Sequence, residues 1–174
     1  MIVTPDGLIL SFIGSFEGKM NDQSMFTHSG VEEKLLKLFN GKKPLYIYGD
    51  SGYQSLYTVI TPFSRQVELS KIERQFNLEL SHDQISVEQA FRQVTNLWKT
   101  NAFKILLRSQ SIPVASLYEI AVLLSNCFTC LRGNEISERY NIRPPTLEQY
   151  LMAAEPGLYY FSFSFCKRDR INAN

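Results

Sequence analysis

The chain has 174 residues, a size typical of one compact domain, and its 44% hydrophobic and 13% aromatic content argues against a disordered segment. A net charge of +1 argues against a free-standing nucleic-acid-binding domain, which is usually strongly basic. Three cysteines provide no even disulfide framework, and no apolar stretch reaches the roughly 20 residues that a membrane span needs. The composition therefore predicts a soluble intracellular protein without a membrane partner.

The first 16 residues have the pattern of a β-hairpin. The turn is predicted at residues 4–7, where Pro5 presets one backbone dihedral angle and Gly7 permits a positive φ. Residues 8–16 are apolar and rich in β-forming residues, which predicts the second strand. The strand before Pro5 is only about four residues long, and such a short hairpin needs a neighbouring sheet. We therefore expect that the first strand or strands of the domain are missing from this chain.

Short strands and helices alternate in the middle of the chain. The patterns predict a helix over residues 30–39, a buried strand over 44–48 and a further extended segment over 58–63. Two separate amphipathic helices are then predicted, over residues 65–80 and 83–99.

The remainder is predicted to be mainly helical. Residues 103–108 fit either an extended segment or a helix, and residues 113–131 form a strongly apolar helix that begins at a proline. Thr146 is predicted to cap a final short helix over residues 147–154. The order of elements predicts an α/β fold with a mixed sheet and flanking helices.

Asp50 is the first candidate functional residue. An apolar strand leads to it, and Gly49 and Gly52 flank it, so the chain can turn sharply there. Ligands of open α/β sheets bind at the carboxyl ends of strands, and a carboxylate at that place suits a hard cation such as Mg²⁺. The competing interpretation is an ordinary turn in which Asp50 bonds its own backbone.

Glu88 is the second candidate. It lies at the rim of the apolar face of the helix predicted over residues 83–99, from which a carboxylate can reach a sheet edge. The competing interpretation is a solvated glutamate at a boundary position. Together, Asp50 and Glu88 indicate a metal site for phosphodiester chemistry, although two carboxylates are few for two divalent ions. No strand-borne third carboxylate is evident, because Asp6 lies in a turn and Asp22 in a loop before a helix.

An ordered set of short stretches resembles the PIF/Harbinger-like DDE transposases, which are DDE-superfamily endonucleases, and in particular their fungal versions. The matching stretches are TPDGLI (4–9), EGKMND (17–22), LYIYGDSGY (45–53), ERQFN (73–77), VEQAF (87–91), CLRGN (130–134) and PPTLEQYL (144–151). The resemblance implies a partial endonuclease domain similar to ribonuclease H over residues 1–152. It leaves residues 153–174 as a divergent tail.

The resemblance also implies what the domain does. Asp50 and Glu88 match the second and third catalytic acids, which would bind Mg²⁺, or Mn²⁺ in its place, for cleavage of DNA. Asp22 matches an aspartate that we interpret as a loop-ordering or helix-capping residue. The residues themselves make either Asn21 or Asp22 the predicted N-cap of a short helix that follows. The implied partners are DNA and a separate DNA-binding accessory protein, and the implied location is the nucleus.

The sequence departs from the family pattern in ways that weaken the expectation of activity. The first catalytic acid normally stands on a strand upstream of the Pro-Asp-Gly turn, and this chain does not contain that strand. The chain is thus expected to be an incomplete and inactive nuclease. The alternatives are a catalytically dead, domesticated DNA- or protein-binding module, and a small α/β protein that binds a phosphorylated ligand near residues 49–52. The last has no Walker-type loop to support it.

Overall fold

A computed structural model describes five segments of the chain: residues 1–12, 20–38, 46–64, 68–98 and 114–152. Several sequence predictions therefore fall outside the described residues. They concern the end of the second strand (13–16), the start of the strand at 44–45, the start of the helix at 65–67, the segment 103–108 and the tail 153–174.

The N-terminal hairpin is confirmed. Strand β1 (Ile2–Val3) pairs antiparallel with β2 (Ile9–Ser11), and Val3 lies opposite Ile9. The turn is closed by the Thr4 N–H, which donates to the Leu8 carbonyl at 2.9 Å, and by Gly7, whose N–H donates to the Thr4 carbonyl at 2.8 Å. Gly7 has a φ of 84°, a conformation that other residues adopt only with strain.

A second pair of strands leads to the candidate site. Strand β3 (Ile47–Tyr48) pairs parallel with β4 (Val59–Ile60), and Ile47 lies opposite Val59. The described strands thus form two separate two-stranded sheets, one antiparallel and one parallel, and not the single mixed sheet that we expected. The broader prediction of an α/β fold agrees with the structure, in which helices dominate.

Two short helices connect the sheets. Helix α1 (Asp22–Ser29) is capped by Asn21, whose side chain accepts a hydrogen bond from the Ser24 N–H. Asn21 was one of the two predicted caps, and Asp22 is instead the first residue of the helix, where a carboxylate complements the helix dipole. Helix α2 (Val31–Leu38) follows, close to the prediction of a helix over residues 30–39.

Helix α3 (Lys71–Leu97) corrects the prediction of two separate helices. Ser70 and Glu73 form a capping box at its start, and the helix then continues through residues 81–82, where we expected a break. The segment is polar but contains neither proline nor glycine, and the buried stripe of Leu80, Ser86, Ala90 and Val94 runs across it. A polar stretch alone does not end a helix that is packed along its length.

Three helices complete the described chain. They are α4 (Val114–Arg132), α5 (Glu135–Arg139) and α6 (Leu147–Met152). Thr146 caps α6 as predicted, because its hydroxyl accepts a hydrogen bond from the Gln149 N–H at 3.2 Å. None of the helices in the described segments has the length and apolarity that a membrane crossing requires.

The main core joins the hairpin to three helices. Its buried residues come from β2, α3, α4 and α5, and they are Ile9, Ala90, Val94, Ala121, Val122 and Ile136. Helix α3 also packs against both β1 and β3, so one helix contacts both sheets. This arrangement brings the helix that carries Glu88 to the strand that leads to Asp50.

Candidate functional site

Asp50 is the second residue after β3 and is exposed to solvent, while the preceding Gly49 is buried. The Gly49 N–H still belongs to the sheet, because it donates to the Ile60 carbonyl at 2.9 Å. Oδ1 of Asp50 accepts a hydrogen bond from the Gly52 N–H at 2.8 Å. Asp50 therefore does cap its own turn, as the competing interpretation states. It also presents an exposed carboxylate at the end of a strand, so the two interpretations are compatible.

Asp22 is a second carboxylate at this place. A Cβ atom added to Gly52 would lie 3.0 Å from Oδ1 of Asp50 and 3.1 Å from Oδ2 of Asp22. The two carboxylates thus flank one glycine, and their oxygens are no farther apart than these two distances combined. The sequence placed Asp22 only at the start of a helix, and it gave no signal that Asp22 lies beside Asp50.

Electrostatics agree with this placement. Burial raises the pKa of the Tyr53 hydroxyl, and the negative charges of Asp22 and then Asp50 raise it further. The charge of Asp22 also raises the pKa of the Met1 amino group, although burial of that group lowers it more strongly. The residue before β1 is therefore near Asp22, the carboxylate that also lies beside the loop after β3.

Helix α1 holds the loop that carries Asp50. The side-chain carbonyl of Gln23 accepts a hydrogen bond from the Gln54 N–H at 2.9 Å. One turn later, Phe26 packs edge-on against Tyr53, with ring centroids 6.0 Å apart. Both contacts come from one helix, and they hold the part of the loop that directly follows Gly52.

Glu88 is exposed on α3. The connection between this helix and the Asp50 loop is Gln84, whose side-chain amide donates to the Gly49 carbonyl at 3.2 Å. Gln84 and Glu88 are four residues apart, so they are neighbours on the same face of the helix. The structure thus ties the helix of Glu88 to the residue before Asp50, and the joint role of the two acids stays a prediction.

A comparison with protein families decides the identity of the domain. The family model of the DDE superfamily endonucleases matches residues 1–126, which is more than half of the chain. The chain belongs to this superfamily. No curated protein and no solved structure matches it.

DDE superfamily endonucleases use divalent metals, so we asked whether the residues present fit such an ion. Asp50, Asp22 and Glu88 offer carboxylate oxygens, the ligands that Mg²⁺ and Mn²⁺ prefer. Oδ1 of Asp50 is engaged by the Gly52 N–H, as a ligand carboxylate often is. Within the described segments, however, no three histidine, cysteine, aspartate or glutamate side chains come close enough together to hold a metal ion. The donor chemistry of this endonuclease domain fits a hard cation, and the number of converging ligands does not complete a site.

Proposed function

We propose that this domain belongs to a PIF/Harbinger-like transposase of the fungal type, which cleaves DNA phosphodiester bonds with Asp50 and Glu88 as two of its acids. The observation that supports the proposal most is the hydrogen bond from Gln84 to Gly49. It joins the helix of Glu88 to the strand end that presents Asp50. Both acids are exposed, as groups that must reach a phosphate have to be.

In this proposal the two carboxylates hold Mg²⁺, or Mn²⁺ in its place. The bound ion would stabilise the negative charge that develops on the attacking and leaving oxygens of the phosphodiester. The chain itself contributes orientation. The Gly52 N–H fixes the Asp50 carboxylate from within the loop, and α1 fixes the loop through Gln23.

We further propose that a strand upstream of residue 1 in the natural protein lies between β1 and β3 and carries the first acid. Among the described residues, β1 pairs only with β2 and β3 only with β4, so each has an open edge. Helix α3 packs against both of these strands. The start of β1 and the end of β3 lie near the same carboxylate, Asp22. A strand between them would join the two sheets into one mixed sheet of the kind found in ribonuclease H. The domain over residues 1–152 would be inactive without it.

DNA as substrate follows from membership of the endonuclease superfamily. A net charge of +1 supplies little attraction to a phosphate backbone, so we propose that a separate accessory protein provides most of the DNA binding. Action on chromosomal DNA would place the protein in the nucleus.

The test begins with the 5′ end of the native transcript. The proposal predicts an upstream reading frame that encodes a β-strand with an aspartate. The protein made from that frame should nick supercoiled plasmid in Mg²⁺ or Mn²⁺, whereas the 174-residue chain should not. Asp50→Asn should abolish nicking, and Glu138→Gln, an exposed acid on α5, should not affect it.

Two results would contradict the proposal. Nicking by the longer protein that survives Asp50→Asn would show that this carboxylate does not serve the reaction. A well-folded longer protein that fails to nick DNA whichever divalent metal is added would favour the alternative, a catalytically dead module that binds DNA or another protein.

A further inference from the structure

Gln84 connects helix α3 to the end of strand β3 through a side-chain hydrogen bond. Its amide Nε2 donates to the carbonyl of Gly49, whose own N–H is bonded to β4. Gly49 is buried, and a Cβ atom there would lie 3.1 Å from the Tyr53 ring and 3.2 Å from Val59. Tyr53 and Val59 thus pack closely around the backbone of Gly49, and Gln84 is the residue of α3 that bonds to it.

The position of this contact along α3 matters for Glu88. One helical turn separates Gln84 from Glu88, and side chains at this spacing have Cβ atoms about 5–6 Å apart on the same face. Asp50 directly follows Gly49 in the chain. The hydrogen bond therefore links the helix, one turn before Glu88, to the residue that directly precedes Asp50.

From this geometry we infer that Gln84 is a positioning residue, which holds α3 in register with the end of β3 so that Glu88 and Asp50 bind the same divalent ion. The inference rests on the proposed function, because it assumes that these two acids are ligands. Gln84 itself does not contact the ion in this inference. It acts through the Gly49 carbonyl.

The test uses the full natural protein with Gln84→Met, which keeps the length of the side chain but removes its donor. The matched control is Gln75→Met, because Gln75 is exposed on the same helix and its side-chain amide donates to Glu79 one turn away. Two measurements are made on isotopically labelled protein. The first is amide hydrogen exchange over residues 49–53, and the second is the broadening of the Asp50 and Glu88 amide signals by added Mn²⁺.

In the wild-type protein and in Gln75→Met, one Mn²⁺ concentration should half-broaden both signals. In Gln84→Met, exchange at residues 49–53 should rise about 5-fold, the effect of one lost hydrogen bond. Both signals should then require at least about 10-fold more Mn²⁺ than in the wild-type protein, a loss typical of removing support behind a metal ligand. A purely structural bond would raise the exchange rate and leave that Mn²⁺ concentration unchanged.

Each other outcome is decisive. If both signals in Gln84→Met are half-broadened at the wild-type Mn²⁺ concentration, the positioning role is wrong and the metal site stands. If Mn²⁺ broadens neither signal in the wild-type protein, the metal site itself is wrong, and the positioning role falls with it.

Discussion

The side chain of Asn126 pairs with the backbone of Ile9 in the way that a neighbouring strand would. Its carbonyl accepts the Ile9 N–H and its amide donates to the Ile9 carbonyl, both at 2.9 Å. The same amide also donates to the Tyr150 hydroxyl at 3.0 Å. Asn126 is fully buried, so a residue of helix α4 supplies hydrogen-bond partners for the backbone of Ile9 on β2. Among the described residues, the other strand of this sheet, β1, has an open edge.

Replacing Asn126 by leucine should therefore destabilise the domain strongly. The change leaves the N–H and the carbonyl of Ile9 buried without partners, which should lower the free energy of unfolding by about 2–4 kcal/mol. Urea denaturation followed by circular dichroism measures the loss. The control is Asn96→Leu, since Asn96 is exposed on α3. Equal stability of the two variants would show that the Asn126 pairing is dispensable.

Tyr150 should make the domain sensitive to alkali. Burial raises the pKa of its hydroxyl to about 12, although the hydrogen bond from Asn126 opposes the shift. Because the folded protein holds the phenol proton more tightly than the unfolded chain, this stabilisation is complete below the unfolded pKa of about 10 and is lost as the pH rises toward about 12. Urea unfolding at a series of pH values should show the decline.

Tyr150→Phe should flatten the decline, because phenylalanine has no proton to lose. The control Tyr57→Phe should keep the wild-type pH dependence, since Tyr57 is 76% exposed. An unchanged alkaline slope in Tyr150→Phe would mean that other tyrosines account for it.

Asp22→Asn should lower the pKa of the Tyr53 hydroxyl toward its ordinary value. Burial is the main cause of the raised pKa and remains in the variant, but the larger of the two charge effects, that of Asp22, is removed. Nuclear magnetic resonance titration of the Tyr53 ring signals measures the shift. Asp83→Asn is the control, because Asp83 lies on α3 and its carboxylate accepts a hydrogen bond from the Tyr140 hydroxyl, away from Tyr53 in the chain. A Tyr53 pKa that does not move would place Asp22 too far from the Asp50 loop.

Ser70→Ala tests the start of helix α3. The variant loses the hydrogen bond from the Glu73 N–H to the serine hydroxyl, and it should cost about 1 kcal/mol of stability. Hydrogen bonds from the side chain and then from the backbone of Ser70 also lower the pKa of the Glu73 carboxyl. The variant loses the side-chain bond, so this pKa should rise. Ser81→Ala, in the exposed middle of the same helix, should be neutral in both thermal unfolding and titration.

Short-range sequence signals predicted the parts of the fold that depend on short-range chemistry. The Pro5-Asp6-Gly7 turn and the caps at Asn21 and Thr146 follow from backbone preferences of neighbouring residues, and the structure has all of them. The single helix α3 was missed because its continuity depends on burial against other elements, which the polar residues 81–83 concealed.

The candidate site likewise combines a feature that the local sequence predicted with long-range contacts that it did not. The strand end before Asp50 was readable from an apolar run followed by glycines. The approach of Asp22 to Gly52 joins residues thirty positions apart, and the contact between Gln84 and Gly49 joins residues 35 positions apart. Nothing in the sequence around Asp22 or Gln84 distinguishes either residue from a solvated surface residue. Only the three-dimensional arrangement reveals their contacts.

The central claim is that Asp50 and Glu88 hold one divalent cation, and Mn²⁺ binding by the full natural protein tests it most directly. Electron paramagnetic resonance counts the free Mn²⁺ in a titration of the wild type and of Asp50→Asn, Glu88→Gln and the control Glu138→Gln. Our account predicts that each of the first two variants weakens binding by at least about 10-fold and that the control binds like the wild type. Wild-type affinity in both Asp50→Asn and Glu88→Gln would contradict the account.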